Sequence, residues 1–121
     1  MLQEQELTYR IRGCVFEVFK QLGHGFAEKV YEHALMAEFI LQGIHARNQV
    51  HLPVTYKGTS VGDYFADIIV ENRVVLELKA QTQISAIHET QLLNYLRAGN
   101  YRIGMLINFT YPKAVIKRLI I

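Results

Sequence analysis

The chain has 121 residues, half of them hydrophobic and 20% charged, which is the composition of one folded domain, 1–121, and excludes a disordered or fibrous chain. No apolar run approaches a bilayer span, and Met1-Leu2-Gln3-Glu4-Gln5-Glu6 lacks the basic-then-apolar order of a secretory signal, so no membrane partner is expected. A net charge of +2 is too small to argue by itself for nucleic acid, and the single Cys14 can form no internal disulfide, so a cytoplasmic location is expected.

Leu7, Ile11, Cys14, Val15, Val18 and Leu22 recur at three- and four-residue spacing, which predicts a helix over 4–22. Cys14 lies on its apolar stripe and reads as a small core residue. Gly23-His24-Gly25 stops this helix, and a second follows from about Ala27 to Gln42, with Val30, Tyr31, Ala34, Leu35 and Leu41 expected inside. Residues 46–56 read as a strand, Val50, Leu52 and Val54 alternating with polar residues and Pro53 marking an edge or a bulge. Lys57-Gly58-Thr59-Ser60 is a turn. Two short β-branched runs follow, 63–70 and 74–80, joined by Glu71-Asn72-Arg73. A third helix is expected over 84–98, then strands over 101–108 and 114–121. A helix between 74–80 and 101–108 is a crossover, so those two strands should be parallel. The expectation is an α/β sandwich, a mixed sheet flanked by helices.

The chemistry concentrates in the two middle strands. Asp67 sits within Tyr64-Phe65-Ala66-Asp67-Ile68-Ile69-Val70, and Glu77 and Lys79 within Val74-Val75-Leu76-Glu77-Leu78-Lys79-Ala80. Charges inside apolar strands are costly unless paired or coordinating something. Glu77 and Lys79 share a face by alternation. A three-residue turn pairs 70 with 74 and sets Asp67 opposite Glu77, whereas a two-residue turn sets it beside Leu76, so an odd or bulged turn is expected. A metal site with a water-activating amine is one reading, and a structural ion pair on a half-exposed sheet is the other.

Three further residues attract notice. Glu28 and Tyr31 share a helical face, although a first-turn Glu also suits the helix dipole and Tyr31 also suits a core. Gln91 falls between Ile87 and Tyr95 in a four-residue stripe, where a buried amide needs partners. The five histidines have no metal-binding spacing, and no phosphate-binding glycine loop or serine triad is evident.

Together these residues resemble the PD-(D/E)XK nuclease superfamily, and within it the GxxExxY proteins. Gly25, Glu28 and Tyr31 match the naming motif, Asp67 the strand aspartate, and Glu77-Leu78-Lys79 the Glu-x-Lys triplet. Gln91 and Tyr95 match the Gln-x-x-x-Tyr motif of RecB-type exonuclease domains. Ala66 stands where proline can precede the aspartate, and Thr110 where glycine is commoner. The resemblance implies a restriction-endonuclease-like three-layer sandwich with core order αβββαβ, and a Mg²⁺- or Mn²⁺-dependent nuclease acting on nucleic acid, DNA first. It implies metal ligation by Asp67, Glu77, the Leu78 carbonyl and Glu28, catalytic roles for Asp67, Glu77, Lys79 and Gln91, and substrate positioning by Tyr31 and Tyr95. A non-catalytic nucleic-acid- or protein-binding module on the same fold is the alternative. A homodimer could add binding surface, with Leu119-Ile120-Ile121 contributing to its interface or else forming an ordinary core strand.

Overall fold

Eight elements follow one another in the computed structural model, which describes residues 4–121. They are α1 (Gln5–Leu22), α2 (Glu28–Leu41), β1 (Ala46–Tyr56), β2 (Thr59–Val70), β3 (Val74–Lys79), α3 (Ala86–Gly99), β4 (Ile103–Asn108) and β5 (Val115–Ile120). The strands form one mixed sheet in the order β1-β2-β3-β4-β5. Only β3 and β4 run parallel, as the α3 crossover requires.

Helices cover both faces of the sheet. Ile11, Val15, Leu35 and Phe39 of α1 and α2 pack on Ile68, Val70, Leu76, Leu78, Met105 and Ile107. On the other face, Leu92, Tyr95 and Leu96 of α3 pack on Leu52, Ile69, Val75 and Leu106. The α1 stripe is buried as its spacing predicts, and burial pushes the Cys14 thiol up to about 11, with Glu38 adding to the effect.

Two helical faces differ from the expectation. On α2 the inner stripe is Tyr31, Leu35 and Phe39, while Val30 and Leu41 are exposed. The fully buried stripe repeats every four residues, with Ala34 and Met36 partly buried beside it. On α3, Ile87 is exposed because the buried band runs one position away, through Leu92 and Leu96. Gln91 therefore lies half-buried at the margin of the packed face, and Tyr95 is buried within it.

The hairpins set the register. Lys57 and Gly58 alone form the β1–β2 turn, both with positive φ, so β2 begins at Thr59, earlier than the apolar pattern suggests. Pro53 lies on edge strand β1, and a bulge follows at Val54/Thr55. Glu71 and Asn72 take left-handed φ, Arg73 N–H donates to Val70 O at 2.9 Å, and Val70 pairs with Val74. This is the three-residue connection that the spacing called for.

One rung of the sheet reverses its facing. Ala46, Ile68 and Val70 face α1 and α2, but Val50, Leu52 and Ala66 pack with α3. The change occurs where Gln49, with φ of 51°, drops out of the ladder opposite Asp67. Glu32 on α2 holds this rung: its buried carboxylate accepts Asn48 Nδ2 and Gln49 Nε2, each at 3.0 Å, and Lys29 Nζ at 3.2 Å. A buried charge needs such donors.

Candidate active site

β3 alternates regularly, with Val74, Leu76 and Leu78 toward α1 and α2 and Val75 toward α3. Glu77 and Lys79 are thereby sent to the α3 side. Glu77 is only 3% exposed. Burial, and after it the charge of neighbouring Asp67, pushes the Glu77 carboxyl up to about 9; Lys79 pulls it down, and Glu28 adds a smaller upward push. Its Oε2 lies 3.7 Å from Lys79 Nζ, while its buried Oε1 meets no hydrogen-bond partner. What that oxygen lacks is a proton or a cation between the two carboxylates.

Asp67 reaches Glu77 from β2. The β2–β3 ladder runs from Val70↔Val74 to Ile68↔Leu76. One rung further, Leu78 N–H donates to Asp67 Oδ2 at 2.8 Å, a side chain taking the place of a backbone partner. The strands part there, at the rung where β1 loses Gln49. Leu78 thus enters the site through its main chain, its side chain being in the core.

α3 supplies the rest of this face. Lys79 Nζ donates to Gln91 Oε1 at 3.4 Å, and Gln91 Nε2 donates to Tyr95 Oη at 2.9 Å. Burial first, and then the Glu77 charge, hold the Tyr95 hydroxyl up at about 12. It stays neutral, with its own proton available to donate.

This order of elements, with Asp and Glu-x-Lys meeting on adjacent strands, has a counterpart among known families. The family model of the PD-(D/E)XK nuclease superfamily matches residues 5–119. The chain belongs to that superfamily. Two solved structures are similar to it. SSO0001 superposes with a TM-score of 0.61 at 18% identity, over 76% of this chain and 48% of its own. The alkaline exonuclease LHK-Exo from Laribacter hongkongensis superposes with a TM-score of 0.55 at 10% identity, over 99% of this chain and 72% of its own. These likenesses show the fold, which is restriction-endonuclease-like. The chain spans about half the length of SSO0001. No curated protein matches it in sequence.

Within this PD-(D/E)XK domain, Glu28 stands apart from the inner pair. It is the first residue of α2, exposed, and felt at Glu77 only through its charge. Among the described residues no three His, Cys, Asp or Glu side chains are gathered closely enough to hold a metal ion, so the expected Glu28, Asp67 and Glu77 set is not preassembled. Three carboxylates converge only around a counter-charge. The inner pair still suits a hard divalent cation, since it offers carboxylate oxygens, one of them buried and unpartnered.

Tyr31 is fully buried and shows no face to a substrate. Its hydroxyl donates to Gly23 O at 2.6 Å and accepts Phe26 N–H at 3.3 Å, and its ring stacks on Phe109 at 4.3 Å. It fixes the loop that leads into Glu28, where Gly25 takes a φ of 105° that side chains resist.

Two residues near the site escaped the sequence reading. Asn108, 2% exposed, clamps Gln81 by donating to its carbonyl and accepting its N–H, both at 2.9 Å. With Phe109 N–H on Lys79 O at 2.8 Å, this clamp fixes the end of β3 that carries Lys79. Its signal was a lone amide closing an otherwise apolar strand. The other is Tyr64, whose ring lies 5.3 Å from that of Tyr95; in sequence it is one more residue of an apolar run.

Proposed function

We propose that this domain is a metal-dependent nuclease that hydrolyses phosphodiester bonds of nucleic acid, DNA first, and is one of the GxxExxY proteins. The observation that carries the reading is the unpartnered, buried Oε1 of Glu77 beside Asp67, with Lys79 tethered to Gln91 on the same face. Asp67, Glu77 and the Leu78 carbonyl would hold Mg²⁺ or Mn²⁺, with Glu28 joining from the rim, and the bound ion would neutralise the scissile phosphate and lower the pKa of a water.

The side chains do the rest. Lys79 orients the attacking water and offsets charge that develops on the phosphoryl oxygens. Gln91 holds the Lys79 ammonium in place, and Tyr95, whose hydroxyl accepts Gln91 Nε2, holds Gln91 and keeps a proton that it would donate to a substrate oxygen. Tyr31 positions substrate indirectly, by fixing the loop before Glu28. A homodimer belongs to the same proposal, since Ile120 and Ile121 remain exposed at edge strand β5 and its end.

Labelled single- and double-stranded DNA and RNA, incubated with Mg²⁺ or Mn²⁺, test it, with EDTA and Glu77→Ala protein as controls. Metal-dependent cleavage that disappears in the variant is expected. If no substrate is cut above the variant's level but the variant still binds nucleic acid as well as the parent, the domain is a binding module instead.

A further inference from the structure

The reversed rung at Gln49 and Asp67 has a chemical consequence. Strict alternation would put Tyr64, three positions before Asp67, on the opposite face of the sheet. The reversal instead brings Tyr64 against Tyr95, with ring centroids 5.3 Å apart at 50°. Tyr95 holds Gln91, and Gln91 holds Lys79. A continuous line therefore runs from the candidate catalytic amine to an aromatic ring that is 38% exposed.

Part of that residue stays open to solvent, opposite Leu52 on β1. The β1–β2 hairpin beyond Ala66 is open to solvent, with Tyr56 63%, Val61 58% and Phe65 51% exposed. Three residues of strand place Tyr64 about 10 Å from Asp67. If a phosphate is cut beside Asp67 and Glu77, a base of an adjoining nucleotide comes within reach of Tyr64. An aromatic face takes any base, but only one released from its own stack, since the bases of a duplex hide their faces.

We infer that Tyr64 is a stacking platform for an unpaired base next to the scissile phosphate, so that the domain selects single-stranded nucleic acid or a frayed end. The inference rests on the nuclease reading of Asp67, Glu77 and Lys79. Tyr64 is a specificity residue here and takes no part in bond cleavage.

The chain contains no tryptophan, so Tyr64→Trp installs a single reporter at the platform. It is titrated in EDTA with a short deoxythymidine strand and with a matched duplex, and fluorescence anisotropy of labelled strands measures binding separately. The expected result is quenching of the new tryptophan by the single strand and little by the duplex. Tyr64→Leu, which keeps apolar packing on Tyr95 without a π face, should weaken single-strand binding by about tenfold and Tyr64→Phe should not. With Mn²⁺, Tyr64→Leu should raise KM on the single strand and leave kcat near that of the parent.

The inference is overturned if the strand binds without quenching, if it does not bind, or if Tyr64→Leu weakens both substrates equally. Cleavage by the parent protein is scored independently. Cleavage without quenching would remove the platform and leave the nuclease, whereas quenching without metal-dependent cleavage would keep the platform and remove the nuclease.

Discussion

Asp67 Oδ2 accepts the backbone N–H of Leu78 at 2.8 Å, so a carboxylate on β2 does the work that a ladder carbonyl does one rung earlier. This bond both ends the β2–β3 pairing and places Asp67 beside Glu77. It serves fold and chemistry together, and the two can be separated by substitution.

Asp67→Asn should keep the fold, because the amide oxygen can still accept the Leu78 N–H. Asp67→Ala leaves that N–H without its partner and should cost about 1–3 kcal/mol. Thermal melts with and without Mn²⁺ check this. The expected pattern is a near-parental melting temperature for Asp67→Asn without metal, a lowered one for Asp67→Ala, and no metal-induced rise in either. Equal stability of the two variants would mean that the bond contributes nothing.

Glu77 gives stability a pH dependence in the metal-free protein. Its folded pKa, pushed up to about 9, lies above the ordinary 4.5, so between these values the folded chain holds a proton that the unfolded chain has released. The associated stability is fully present below about 4.5 and is lost as pH rises through about 9. Glu77→Gln, neutral at every pH, should therefore gain on the parent as pH rises from 5 to 9 in EDTA. A melting-temperature difference that stays constant over that range would contradict the assignment.

Lys79→Ala should reduce kcat by about 10²–10⁴-fold while leaving the metal-induced rise in melting temperature largely intact. Equal loss of both would count against its assigned role. Gln91→Leu removes only the tether and should have a smaller effect on kcat.

Asn108→Leu leaves both Gln81 main-chain groups without their amide partner and should destabilise the fold by about 1–3 kcal/mol. It should also lower kcat, because the end of β3 beyond Lys79 is released. Parental turnover in a destabilised variant would limit Asn108 to a folding role.

Glu32→Leu strands the Asn48 and Gln49 amides beside the reversed rung and should cost about 3 kcal/mol or more, while Glu32→Gln should cost less. Denaturant unfolding compares the two. If Glu32→Leu proves neutral, the rung is held by other contacts.

Local patterning reached far into this protein. Leu7, Ile11, Cys14, Val15 and Val18 disclose the buried side of α1, because one helical period repeats without interruption. Alternation puts Glu77 and Lys79 on one face, and the length of the Glu71-Asn72-Arg73 turn sets the register that brings Asp67 to them. These relations depend on near neighbours along the chain. Tertiary structure alone decided the rest. Which residues α2 and α3 bury depends on which band the sheet covers, so Phe39 is inside while Leu41 and Ile87 are exposed. The Asn108 clamp joins positions 27 residues apart. The reversed rung that carries Tyr64 to the site needs a left-handed Gln49 held by Glu32, 17 residues away. Glutamine carries no local signal for that conformation. The side chain that holds it comes from another element, the buried carboxylate of Glu32.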